Sequence, residues 1–173
     1  PADAKGMLKS AIRDNNPIMF VESQIMYNVK GVVPKEEYLI PLGKADIKRA
    51  GDQVTIVAWG PMLPEALKAA DQLAADKISA EVVDLRSLVP LDMETVLASV
   101  RKTGRCVVAS HCVDIGSFTA EIASRIMAEA FDSLDAPVLR VGSKDGIAPQ
   151  AYSLEDAFLP HGRDIVAAVK KLL

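Results

Sequence analysis

The sequence predicts an α/β protein: an open three-layer α/β/α sandwich with a mostly parallel sheet, preceded by a helix and a strand. Two observations predict it. After residue 43, short runs rich in Val, Ile and Ala alternate with longer amphipathic stretches, the pattern of parallel strands joined by helical crossovers. The 173 residues are 50% hydrophobic and 25% charged, which suits one globular domain with an appendage. No repeat of 20–50 residues competes with this reading.

The elements follow in order. Residues 3–13 read as a helix, with Asp3 as N-cap and Ala4, Met7, Leu8, Ala11 and Ile12 as one apolar stripe. The cluster 14–17 (Asp-Asn-Asn-Pro) stops it. The all-apolar run 18–21 then reads as a strand buried on both faces. From 22 to 43 the periodicity dissolves around Gly31, Pro34 and Pro41, and the stretch reads as a linker. Residues 44–49 form a polar strand suited to an edge, with a parallel or an antiparallel orientation both open. Residues 53–59 and 80–85 are buried strands, separated by a helix over 61–77 with Leu63, Leu67, Ala70, Leu73 and Ala74 inward. Asp92 caps a helix bearing Met93, Val96, Leu97 and Val100, which Gly104 ends. Strand 106–110, helix 116–131 with Phe118, Ile122 and Ile126 on one face, strand 137–141 and helix 164–173 complete the order.

Composition excludes several functions. Lys and Arg total 20 against 23 Asp and Glu, a net charge of −3 that gives no broad basic face for DNA or RNA. Four Phe, three Tyr and one Trp are too few to stack along a single strand. No apolar run approaches the roughly 20 residues of a membrane helix. The two cysteines make no disulfide framework. Cys106 reads as a small core residue, and Cys112, next to His111, lacks further metal ligands. The chain begins at Pro1 without signal-like features, and it reads as one entered partway.

Ligands of open α/β sheets favour the C-terminal strand ends. Those ends carry 59–62 (Trp-Gly-Pro-Met), 84–87 (Asp-Leu-Arg-Ser) and 110–116 (Ser-His-Cys-Val-Asp-Ile-Gly), none of them a dinucleotide fingerprint or P-loop. Asp84 and Arg86 straddle Leu85 and form either a structural clamp or a functional pair. Ser110, His111 and Asp114 lie too close in sequence to converge as a triad. His161 precedes the last helix as a capping residue. No complete catalytic constellation can be assembled.

The residues nevertheless resemble a family. The run 3–17 (Asp-Ala-Lys-Gly-Met-Leu-Lys-Ser-Ala-Ile-Arg-Asp-Asn-Asn-Pro), then Glu22 and Met26-Tyr27, are similar to the beta subunit of the decarboxylating first component of pyruvate dehydrogenase. The likeness continues through 40–45 (Ile-Pro-Leu-Gly-Lys-Ala), 82–86, 90–92 (Pro-Leu-Asp), 102–105 (Lys-Thr-Gly-Arg), 120–122 and 134–137 (Leu-Asp-Ala-Pro). The resemblance implies that 1–22 is the end of a pyrimidine-binding domain, 23–43 a linker and 44–173 a transketolase C-terminal-like domain. It implies the acetyl-transferring pyruvate dehydrogenase activity, which uses thiamine diphosphate and Mg2+ in an α2β2 heterotetramer of alpha and beta subunits. The residues that would hold the cofactor are implied to lie outside this stretch, which would serve assembly and docking to the dihydrolipoyl acyltransferase.

Two sites carry over from the resemblance. A structural potassium ion (K+) would be held by Ala11, Ile12, Asp14 and Asn16, otherwise an ordinary helix end. The acyltransferase's subunit-binding domain would dock on Asp135 and the terminal carboxylate of Leu173; alternatively, Asp135 is a solvated turn carboxylate. The loops 110–118 and 145–149 depart from the family pattern. Branched-chain 2-oxoacid and acetoin dehydrogenases, a single-chain transketolase-type enzyme and a stand-alone interaction domain are the competing readings. A bacterial source implies the cytoplasm and a eukaryotic one the mitochondrial matrix.

Overall fold

The computed structural model describes residues 1–173. Five strands, β1 (Asp46–Arg49), β2 (Val54–Ala58), β3 (Ala80–Asp84), β4 (Cys106–Val113) and β5 (Leu139–Ser143), form one sheet in the order β1-β3-β2-β4-β5. All neighbours pair in parallel except β1, which runs antiparallel to β3 at the edge. The polar sequence of β1 fits that place, because an edge strand keeps a water-facing side.

Helices cover both faces. On one face, α2 (Met62–Ala75) and the last helix, α6 (Gly162–Leu172), bury Met62, Ala66, Leu73, Ile165 and Val169 against Val54, Ile56, Val82 and Val107. On the other, α3 (Met93–Thr103) and α4 (Phe118–Ala130) bury Val96, Val100, Ile122 and Ile126 against Val57, Val83 and Val108. Successive strand side chains point to opposite faces, so β2 feeds Val54 and Ile56 to one core and Val57 to the other. This alternation explains why the central strands are apolar throughout. The three-layer sandwich expected from the sequence is therefore present.

Local signals set the boundaries. The Asp92 carboxylate accepts the Thr95 N–H at 3.2 Å and caps α3. Gly104, at φ 68°, ends it in the left-handed conformation that glycine tolerates. Asp92 Oδ2 also accepts the Ala45 N–H at 3.0 Å, which ties the entry of β1 to α3.

Five expectations are corrected. Asp3 does not cap the first helix, α1 (Ala2–Arg13); it lies within the first turn, and Pro1 precedes it. The face of α1 turned inward carries Gly6 and Ser10, while Leu8 and Ile12 of the anticipated stripe face solvent, Ile12 at 74% exposure. Residues 18–21 form no strand: they have no neighbouring strand to pair with, and Met19 and Val21 are 90% and 82% exposed. Between β5 and α6 there is a short exposed helix, α5 (Tyr152–Phe158), where the local sequence pattern predicts no element. In α4 the inward set holds except for Phe118, which is exposed.

Residues 23–43 contain one turn of 3₁₀ helix (Gln24–Met26) and otherwise no regular element. Their second half is a strap laid along α1. Ser10 Oγ donates to the Ile40 carbonyl at 2.6 Å, Tyr38 Oη donates to the Ala2 carbonyl at 2.7 Å, and Lys5 donates to the Pro34 and Glu36 carbonyls. Gly6 makes this approach possible, since a Cβ there would lie 2.7 Å from the Ile40 side chain.

Candidate functional site

The strand ends gather the polar residues singled out in the sequence, but not as a reaction centre. Ser110 Oγ accepts the Cys112 N–H at 3.1 Å and has no hydrogen bond to His111. His111 is half-buried, and that burial, aided by the charge of His161 and opposed by Glu65, lowers its pKa. The Asp114 carbonyl accepts from Arg140 at 2.6 Å, whereas Asp114 Oδ1 is buried without a hydrogen-bond partner. Cys106 is fully buried, which pushes its thiol up to about 12 and leaves it inert as a nucleophile. His161 opens α6, with its N–H held by Asp164 Oδ2 at 2.8 Å, while its ring meets the Asp156 carbonyl at 2.8 Å.

Asp84 and Arg86 belong to a charged cluster between β1, β3 and α1. Arg86 donates to the Lys44 and Ala45 carbonyls at 3.2 and 3.1 Å and to Asp3 Oδ1 at 3.4 Å. Lys48 Nζ lies 2.6 Å from carboxylate oxygens of both Asp3 and Asp46. Asp84 Oδ1 accepts the Arg86 N–H at 3.1 Å. Burial pushes the Asp84 pKa up to about 6, against the opposing pull of that hydrogen bond and the nearby Lys48 and Arg86 charges. Of the two readings of the pair, this geometry is the clamp.

At the segment proposed for a cation, the Ala11 carbonyl accepts the Asp14 N–H at 3.4 Å. Asp14 Oδ1 accepts from both the backbone and the side-chain amide of Asn16, at 2.8 and 2.9 Å, which lowers the Asp14 pKa. Ile12 and Asn16 face solvent beside them.

Asp135 and the C-terminus come together through Arg105, to which the sequence pattern assigns no site role. Arg105 Nη2 pairs with Asp135 Oδ2 at 3.2 Å, while its Nε donates to the Leu172 carbonyl at 3.0 Å, next to the exposed Leu173. The Asp135 N–H donates to the Gly104 carbonyl at 2.8 Å. A Cβ at Gly104 would lie 2.6 Å from Asp135 Oδ2, so the αL glycine that ends α3 also makes room for this carboxylate. The available signal was positional: a basic residue directly after a helix-ending glycine, one step before a buried strand.

No group of three or more His, Cys, Asp and Glu side chains is placed to hold a metal ion. The orphaned Asp114 Oδ1 packs against the Gly142 backbone, where an added Cβ would lie 2.6 Å away.

The family model for the transketolase C-terminal domain matches residues 43–165. The chain is 47% identical over 174 residues to the pyruvate dehydrogenase E1 component subunit beta of Bacillus subtilis (strain 168), covering 100% of this chain and 53% of that protein. It is 44% identical over 173 residues to the acetoin:2,6-dichlorophenolindophenol oxidoreductase subunit beta of the same organism, covering 100% of this chain and 51% of that protein. A solved structure of a split-gene transketolase, an inactive beta4 tetramer, superposes with a TM-score of 0.70 at 36% identity over 78% of this chain and 44% of that one. The chain thus spans about half the length of these curated relatives. With the domain match covering residues 43–165, well over half of the chain, the chain belongs to the transketolase C-terminal domain family.

Proposed function

We propose that the chain is the C-terminal portion of the beta subunit of a thiamine-diphosphate-dependent 2-oxoacid dehydrogenase that acts on pyruvate and acylates lipoyl groups. The supporting observation is that the similarity runs through all of the chain, including residues 1–42 ahead of the matched domain. In this reading 1–22 close a pyrimidine-binding domain and 23–43 link it to 44–173. Thiamine diphosphate, when bound with Mg2+ elsewhere in the heterotetramer, supplies the carbanion-stabilising chemistry. The residues described here position subunits around it. Assay of the heterotetramer with pyruvate, branched 2-oxoacids and acetoin tests the substrate. Preferred turnover of pyruvate is expected, and preference for another substrate overturns the assignment. The acetoin reading is the second one, because the acetoin relative is nearly as similar, at 44% identity against 47%.

Docking of the acyltransferase's subunit-binding domain is assigned to Asp135 and Leu173. Arg105 holds the half-exposed Asp135 carboxylate and the carbonyl before the terminal residue together, which supports reading both as parts of one contact with a basic partner. Titration of the heterotetramer with that domain should show about tenfold weaker binding for Asp135→Ala and for deletion of Leu173, within the range of a lost charged contact. Unchanged affinity removes both residues from the interface. A potassium ion is assigned to Ala11, Ile12, Asp14 and Asn16, with part of its shell contributed from outside this chain. Replacing K+ by choline should lower the melting temperature of the heterotetramer, and an unchanged value excludes the ion. The corresponding compartment is the bacterial cytoplasm or the mitochondrial matrix.

A further inference from the structure

We propose that Arg105 is the positioning residue of the Asp135 contact, holding the carboxylate in the orientation that a cationic partner meets. The inference rests on the docking assignment made above and adds to it a residue that acts through Asp135. Asp135 lies in the turn between α4 and β5, and its side chain is 58% exposed. A carboxylate so placed in water gives up rotamer freedom when a partner captures it, and that loss weakens binding. Two contacts remove the freedom beforehand. The Asp135 N–H donates to the Gly104 carbonyl at 2.8 Å, and Oδ2 pairs with Arg105 Nη2 at 3.2 Å. Arg105 is the one ion-pair partner of Asp135, and more than half of the carboxylate side chain stays open to a second cation.

Arg105 can do this because it is itself fixed. Its carbonyl accepts the Thr55 N–H of β2 at 2.8 Å and the Thr103 hydroxyl at 3.1 Å, and the next residue, Cys106, is fully buried in β4. Its Nε donates to the carbonyl of the buried Leu172 at 3.0 Å, so the side chain is held at both ends. A planar guanidinium presents these N–H groups in a rigid fork, one to α6 and one to Asp135, which an ammonium cannot reproduce. Gly104 keeps the place free, because a Cβ there would lie 2.6 Å from Asp135 Oδ2. The sheet, through Arg105, thus sets where the carboxylate stands. The guanidinium charge by itself repels a cationic partner, so positioning and repulsion make opposite demands on this residue.

Titration of the heterotetramer with the subunit-binding domain separates the two. Arg105→Lys keeps the charge, and with it the repulsion, but loses the fork. It should bind about fivefold more weakly than the parent, the scale of one side chain that must be ordered on binding. Joined to Asp135→Ala, it should weaken binding no further than Asp135→Ala alone, since no carboxylate is left to position. Parent-like or tighter binding by Arg105→Lys overturns the proposal, while a loss in Asp135→Ala leaves the docking assignment standing. An equal further loss in the double variant also overturns it, because Arg105 would then support the domain generally and not this contact. Unchanged affinity in Asp135→Ala removes the docking assignment and the proposal with it.

Discussion

Asp84 is a buried carboxylate whose ionisation works against the fold. Its pKa is raised from 3.8 to about 6, chiefly by burial. Between those values the native state keeps a proton that the unfolded chain has released, so this group's contribution falls as pH rises through the window. The difference integrates to about 3 kcal/mol at 1.36 kcal/mol per unit. Asp84→Asn keeps an oxygen for the Arg86 N–H and cannot ionise. Urea unfolding should find the variant about as stable as the parent near pH 4, and more stable by about 1–3 kcal/mol near pH 7.5. An equal difference at both pH values would show that the charge is not the cause. Gly104 makes a second test. Gly104→Ala places a side chain at φ 68° and against Asp135 Oδ2, which should cost about 1–3 kcal/mol in unfolding experiments and break the Arg105–Asp135 pair. The sequence made Gly104 legible as a helix stop; its second role beside Asp135 depends on a contact across some thirty positions.

Elements differ in how strongly neighbouring residues specify them. The helix α3 carries its own start, stop and apolar stripe, and the structure follows all three. Asp92 does more than cap it, because the same carboxylate holds the Ala45 N–H. Asp92→Ala should therefore lower stability by about 1–2 kcal/mol, toward the upper end of cap deletions, in a denaturant midpoint measurement. By contrast, the run 18–21 has strand composition but no partner, and it stays unpaired and exposed. A strand is a property of two segments, whereas a helix satisfies its own backbone. The same reasoning covers α1: its helix period was legible, but which face turned inward was decided by the strap and by Gly6.

Across the whole molecule, stability is concentrated in the sandwich. Leu73 is fully buried between α2 and the sheet, so Leu73→Ala should cost about 2–5 kcal/mol, whereas Ile12→Ala on the exposed side of α1 should stay within about 0.5 kcal/mol. Thermal or urea unfolding of the two variants checks the contrast, and comparable losses would place α1 in the cooperative core. The sequence by itself determined the α/β class, the mostly parallel sheet, the polar edge strand and the family likeness. All of these rest on local periodicity, composition and runs of residues in order. Only the tertiary structure decided that Arg105 joins Asp135 to the C-terminus and that Asp3 belongs to the Arg86 cluster rather than to a helix cap. It alone decided, too, that the supposed linker is in part a strap on α1. The reason is physical: hydrogen bonds and ion pairs between distant segments depend on side-chain reach and backbone approach, and spacing along a chain encodes neither.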